Sequence, residues 1–211
     1  MAAPLLAALA CAACGGGSAD DAGRAASGGA GAAATGGGDA MACAERAAAG
    51  LVALFGDVRA GRVAEAERRV ARDGFVWFVV GARRDGAAAA LPDVPANATV
   101  QTRGELGAYL RDRARAHDAV DVRAVRIVGP VDPATGALGL EVTAVRRADD
   151  LAGGRALPLV AKAQWRCADD ALIGLAGHAD LAGGPSPDGV GCPDGARRVA
   201  GVAVCGAGDS G

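Results

Sequence analysis

Three stretches in the second half of the chain alternate apolar and polar residues over strand length: VDVRAVRIV at 120–128, ALGLEVTAVRRA at 137–148 and LPLVAKAQWRC at 157–167. Turn-forming clusters, GPVDPATG and ADDLAGGR, separate them. A period of two buries one face of a strand and wets the other. Joined by turns, the three make an antiparallel meander, and a shorter segment, ALIGLAG, follows a tight turn at Ala168-Asp169-Asp170. On these strands Glu141 and Thr143 alternate with Leu140 and Val142, and Lys162, Gln164 and Arg166 oppose small apolar positions, which predicts a solvated outer face.

The first half reads as helices around one strand. ACAERAAAGLVALF (42–55) puts Leu51, Leu54 and Phe55 on one stripe, and Gly56-Asp57 is expected to end that helix. GRVAEAERRVA follows with Val63, Ala66 and Val70 on one side, closed by Gly74. FVWFVVG is a strand by its β-branched and aromatic content, and 82–98 is a loop. TRGELGAYLRDRARAHD is a third helix, with Thr102 and Glu105 spaced as a capping box. Helix, helix, strand, helix and meander predict an α+β domain whose helices cover one face of a strongly curved sheet.

Composition narrows what such a domain does. The 211 residues suffice for one core plus tails. Hydrophobic residues make up 51%, largely alanine, and only 3% are aromatic, so a few large side chains must organise the core. A net charge of −2, without interleaved basic and aromatic residues, excludes a nucleic-acid interface. The glycine runs precede no helix that would cradle a phosphate, and His178-Ala179-Asp180 is too isolated for a metal site, so neither cofactor nor metal is expected.

The chain opens MAAPLLAALACAACGGGS. Ala2–Ala13 is uncharged and shorter than the ~20 residues that span a bilayer. Small residues, then cysteine, then glycines form the pattern of a bacterial lipoprotein signal. Signal peptidase needs small side chains before its cut, and the cysteine thiol then takes a diacylglycerol. Cys14, followed by the glycine run, is the expected lipidation site, with Cys11 the alternative. Two or three acyl chains, palmitate among them, anchor stably where one does not. No Lys or Arg precedes the run, so the start lies upstream or the signal is atypical. The expected organisation is therefore a signal at 1–14, a Gly/Ala-rich tether at 15–40, a folded domain at 41–180 and a Gly/Pro-rich tail at 181–211. The tether, ~26 residues of flexible chain, reaches ~25–30 Å. The domain is then held by lipid at the extracytoplasmic face of the cell membrane.

Four cysteines remain: Cys43, Cys167, Cys192 and Cys205. In an exported domain they favour two disulfides, with three connectivities open. Cys192 with Cys205 is local to the tail and leaves Cys43 for Cys167; Cys43 with Cys205 is the competing arrangement.

LVALFGDVRAGRVAEAERRVARDGFVWFVVG (51–81) resembles the opening of a nuclear transport factor 2-like, or SnoaL-like, domain, with Trp77 as the strand tryptophan. RGELGAYLRDRARAHDAVDVRAVRI resembles that family's third helix running into its first long strand, and ALGLEVTAVRRADDL and AKAQWRC its later strands. The resemblance covers roughly residues 42–178. It implies a cone: a curved antiparallel sheet wrapped on three N-terminal and mid-chain helices, enclosing a pocket. The family includes isomerases, epoxide hydrolases and cyclases, and also members that only bind, dimerise or scaffold, so fold leaves function open.

Enzymes of this fold use pocket-facing Asp, His, Tyr or Arg. Leu106, Tyr109, Leu110, Arg113, Ala114 and His117 share one helical face, which makes His117 the candidate base, although a histidine in a last turn also suits the helix dipole. Phe75, Trp77, Tyr109, His117 and Trp165 are the candidate pocket residues. No strand carries a carboxylate among apolar inward positions, which weakens the catalytic case. The expected role is non-catalytic binding of a small apolar ligand or an envelope protein. An isomerase or hydrolase of a hydrophobic small molecule using His117, and a purely structural interaction module, are the alternatives. A homodimer is left open.

Overall fold

The computed structural model describes residues 36–73, 76–80, 98–100, 102–179 and 192–208. The expected signal with Cys11 and Cys14, the tether up to residue 35, Phe75, Gly74 and His178-Asp180's far end lie outside the described residues, as do 181–191 of the expected tail. Helix α1 (Gly36–Arg59) is followed by α2 (Val63–Arg68), strands β1 (Val76–Val80) and β2 (Ala98–Val100), and α3 (Arg103–Arg115). Strands β3 (Ala119–Val131), β4 (Ala137–Arg147), β5 (Leu157–Arg166) and β6 (Ala171–Ala179) form the meander, and β7 (Arg197–Val199) and β8 (Val202–Cys205) complete the chain. The eight strands make one open sheet in the order β2-β1-β6-β5-β4-β3-β8-β7. The arrangement is α+β, with helices on one face of a curved, unclosed, mostly antiparallel sheet. No described helix is long and apolar enough to cross a membrane.

Helix α1 is longer than expected at both ends. It begins at Gly36, inside the expected tether, where Asp39 in the first turn complements the helix dipole and Ala40 and Met41 pack against the core. It also runs through Gly56-Asp57. A glycine inside a helix costs only about 1 kcal/mol, and Val58, one turn on from Leu54, is buried. The Asp57 carboxylate closes the corner that follows: Oδ1 accepts from Arg62 Nε at 2.9 Å and Oδ2 from Arg69 Nε at 2.8 Å. Burial opposes its ionisation, yet the hydrogen bonds from Arg69 and Arg62 outweigh this and hold the carboxyl below its ordinary value.

Helix α3 starts with the anticipated capping box, Thr102 accepting from the Glu105 N–H while the Glu105 carboxylate accepts from the Thr102 N–H. The Arg103 guanidinium donates to the carbonyls of Glu67, Val70 and Ala71, so the first residue of α3 satisfies the end of α2.

Among the described residues the sheet has three irregularities, one of them near the end of the β3–β4 pair between Ile127 and Val131. Along β3 and β4 the pairing steps from Val122↔Ala144 to Ala124↔Thr143, leaving Arg123 as an extra residue. Between β5 and β6 another shift falls at Gln164/Trp165. A bulge kinks its strand and raises the local twist. Inside the curve, α1 packs Leu51, Leu54 and Phe55 onto Leu138, Leu140, Val142 and Trp165. Gly50 lets helix and sheet approach: a Cβ there would lie 2.1 Å from the Trp165 ring. On the outer face Lys162 and Gln164 are exposed as expected, but Glu141 and Thr143 are not. Glu141 is covered through its pair with Arg126, and Thr143 is buried in mid-sheet.

The tail needs correction. Residues 197–205 are a hairpin, not an appendage: β8 pairs parallel with β3 at Ala124–Arg126 and buries Val202 and Val204 beneath α1. Ala200 (φ 51°) and Gly201 (φ 84°) form its two-residue turn, the left-handed pair that matches strand twist. The disulfides are Cys43–Cys167, joining α1 to the end of β5, and Cys192–Cys205, closing the hairpin segment on itself.

Candidate functional site

A partly open cavity lies between α1, α3 and the inner face of the sheet. Phe55, Val58, Leu110, Leu159 and Leu175 wall one end, and Tyr109, Arg113, Asp118 and Arg146 the other. Its volume is about 30 Å³, room for one or two waters.

The polar end follows from two periodicities and one connection. Along β4, Leu138, Leu140, Val142 and Ala144 point inward, and Arg146 is the next residue in that register. On α3, Leu106, Tyr109, Leu110 and Arg113 share the buried face at helical spacing. Asp118 sits in the connection to β3, positioned by its N–H donating to the Arg113 carbonyl at 3.0 Å. Arg146 Nε donates to both Asp118 oxygens, at 3.0 and 3.2 Å, and its Nη2 donates to the Tyr109 hydroxyl at 3.3 Å. Arg113 forks onto Asp150, at 3.0 and 2.7 Å, touches Asp112 and lies 3.8 Å from Asp118. Its guanidinium also stands 5.9 Å from the Tyr109 ring centre.

These charges neutralise one another. Burial works against the positive form of Arg113, but the hydrogen bonds to Asp150 and Asp112 prevail, so its pKa is raised. Arg146 is likewise raised: burial is overcome by the field of Tyr109 and by its bonds to Asp118. Asp150 is lowered, chiefly by the hydrogen bond from Arg113, against an opposing effect of burial. Both arginines are therefore charged at all ordinary pH and serve as neither acid nor base. The lone pairs of Asp118 are committed to Arg146. Arg113 Nε is buried with no hydrogen-bond partner, a donor that one cavity water would satisfy.

The candidate residues chosen from sequence divide. Tyr109 lines the cavity and Trp165 does not: it is 1% exposed and fills the core under Gly50. Trp77 is placed in β1, paired with Val100 and Leu175, and its side chain is outside the described set. His117 is corrected. Helix α3 ends at Arg115, and His117 takes a left-handed conformation (φ 49°) just beyond it. That turn throws the side chain outward, 76% exposed, with Nδ1 2.7 Å from Asp149. Helical spacing from Arg113 no longer applies once the helix has stopped, so His117 is not a pocket base. Arg146 and Asp118 were missed. Arg146 was legible as the continuation of an inward register; Asp118 was not, because a connecting residue has no period. Among the described residues no group of three His, Cys, Asp or Glu stands ready to hold a metal ion.

Helices lie against one face of an open, bent, mostly antiparallel sheet, with a cavity between them, the α+β arrangement that the resemblance implied. The chain is similar to a nuclear transport factor 2-like protein of unknown function from Burkholderia pseudomallei: 15% identical, 65% of this chain and 92% of that one covered, TM-score 0.43. It is similar to a protein of the same family from Streptomyces avermitilis, 13% identical, with 65% and 96% covered and TM-score 0.46. It is also similar to a protein with a ketosteroid isomerase-like fold from Catenulispora acidiphila, solved in complex with trimethylamine: 10% identical, 64% and 87% covered, TM-score 0.41. No family model and no curated protein matches the chain.

Proposed function

We propose that the protein is a lipid-anchored, extracytoplasmic interaction domain that binds an envelope protein and does not process a small molecule. The observation that carries this is the cavity: about 30 Å³, with its buried charges paired among themselves. An enclosed site for a drug-sized ligand is about tenfold larger, and the described grooves of that volume are open surface clefts. The reading with His117 as base loses its support because that side chain faces solvent. Two disulfides suit an oxidising compartment, and the cysteine–glycine junction at Cys14 suits a lipid anchor.

Native mass spectrometry of the full chain, disulfides intact, tests the binding role. A protein mass with no small molecule that leaves on denaturation is expected; a co-purified apolar compound overturns the reading in favour of ligand carriage. Metabolic labelling with an alkyne fatty acid tests the anchor. Label should be lost in Cys14→Ser and kept in Cys11→Ser.

A further inference from the structure

Strand β3 has an open edge. On one side Ala119–Val122 pairs with β4, but on the other β8 reaches only Ala124–Arg126. The bulge at Arg123 bends the first part of β3 away, and the β7–β8 turn stops beside it. Alternate residues of 119–123 therefore turn N–H and C=O groups away from β4 with no strand to receive them among the described residues. These same five residues line a surface groove of about 430 Å³, closed opposite by Val52, Phe55 and Arg59 of α1 and at one end by Ala200 and Gly201. The groove floor is apolar, from Val52, Phe55, Val120 and Val122. Arg59 and Arg123 are exposed beside it; among the described residues they carry no ion pair, and Asp121 is the one carboxylate lining the groove.

We propose that this groove accepts an extended segment of the partner protein as an added strand on β3, with apolar residues alternating with acidic ones. Five residues at ~3.3 Å each span ~16 Å, matching 119–123. Main-chain hydrogen bonds to an open edge supply affinity, and alternate side-chain contacts supply choice. The apolar floor takes one face of the segment. The two exposed arginines favour carboxylates, while the exposed charges on the edge discourage unselective pairing. The inference rests on the partner-binding reading above and names the surface it uses.

Hydrogen–deuterium exchange of the full chain tests it with three probes: the peptide Ac-Glu-Val-Glu-Val-Glu-NH2, its lysine counterpart, and the glutamate peptide N-methylated at alternate residues. The glutamate peptide should slow exchange in 119–123 saturably, by about tenfold when present at ten times its Kd. The methylated peptide should not, because it cannot complete the ladder. In the double variant Arg59→Glu/Arg123→Glu, whose fold near-ultraviolet circular dichroism verifies, protection should pass to the lysine peptide. Absence of protection at 119–123 overturns the proposal. So does equal protection by all three peptides, which means only a greasy groove. Protection without peptide that grows with protein concentration also overturns it, since a second copy then covers the edge. None of these outcomes touches the broader reading, which falls only to a small molecule in the native mass spectrum.

Discussion

Asp118 shows how much one side chain decides here. It is 4% exposed and takes Arg146 Nε on both oxygens, while Arg113 stands 3.8 Å away. Replacing it by alanine leaves a guanidinium buried without its counter-charge. Removing one partner of a buried pair costs ~3–5 kcal/mol. Asp118→Ala should lose that much in denaturant unfolding, and a double-mutant cycle with Arg146→Met should recover a large part. A loss under about 1 kcal/mol in Asp118→Ala would mean that water already screens the cluster. At this scale the sequence was only partly readable. Tyr109 and Arg113 followed from helical spacing, whereas Arg146, although it continues an inward strand register, was missed. His117 was misplaced because the helix stops two residues sooner than its spacing required.

At the scale of elements, two contacts set how α1 lies. Gly50 admits the Trp165 ring so closely that Gly50→Ala must push helix and sheet apart. Alanine gains about 1 kcal/mol in helix propensity, but overpacking a rigid ring costs ~1–3 kcal/mol. Net destabilisation is expected, and the paired change Gly50→Ala/Trp165→Leu should relieve the clash. An increase in melting temperature for Gly50→Ala alone would refute this packing. At the other end, Asp57 pins the α1–α2 corner through Arg62 and Arg69, and its carboxyl lies below the ordinary value when folded. Its contribution is therefore fully present above the unfolded pKa, ~3.9, and is lost as pH falls through the lower folded value. Asp57→Asn should be less stable than the parent at pH 7, and its stability should fall less steeply below about pH 4. Parallel acid limbs in the two proteins would show that Asp57 is unpaired in solution.

For the whole molecule, the disulfides act on different lengths of chain. Cys43–Cys167 closes a separation of 124 residues and Cys192–Cys205 one of 13. In the chain-entropy account a loop of ~100 residues is worth ~4.7 kcal/mol and one of ~15 residues ~3 kcal/mol. Cys43→Ala/Cys167→Ala should therefore lower the unfolding midpoint more than Cys192→Ala/Cys205→Ala. The reverse order would mean that the β7–β8 hairpin, which fills the sheet beside β3, depends on its bridge to stay docked.

The sequence by itself determined the longer elements and most of their buried faces. The meander, the capped third helix and the α+β class are local, because periodicity and turn chemistry act within a few residues. Tertiary structure alone decided the rest, for reasons of distance in the chain. A hairpin of three- and four-residue strands is too short to hold without β3 beside it, so the tail's role was hidden until the sheet formed. The bulge at Arg123 is a mismatch between two strands and has no signature in either. The cavity is small because Tyr109, Asp118 and the paired arginines meet from separate parts of the chain. How much space a fold leaves inside depends on how distant side chains fill it, and no local pattern records that.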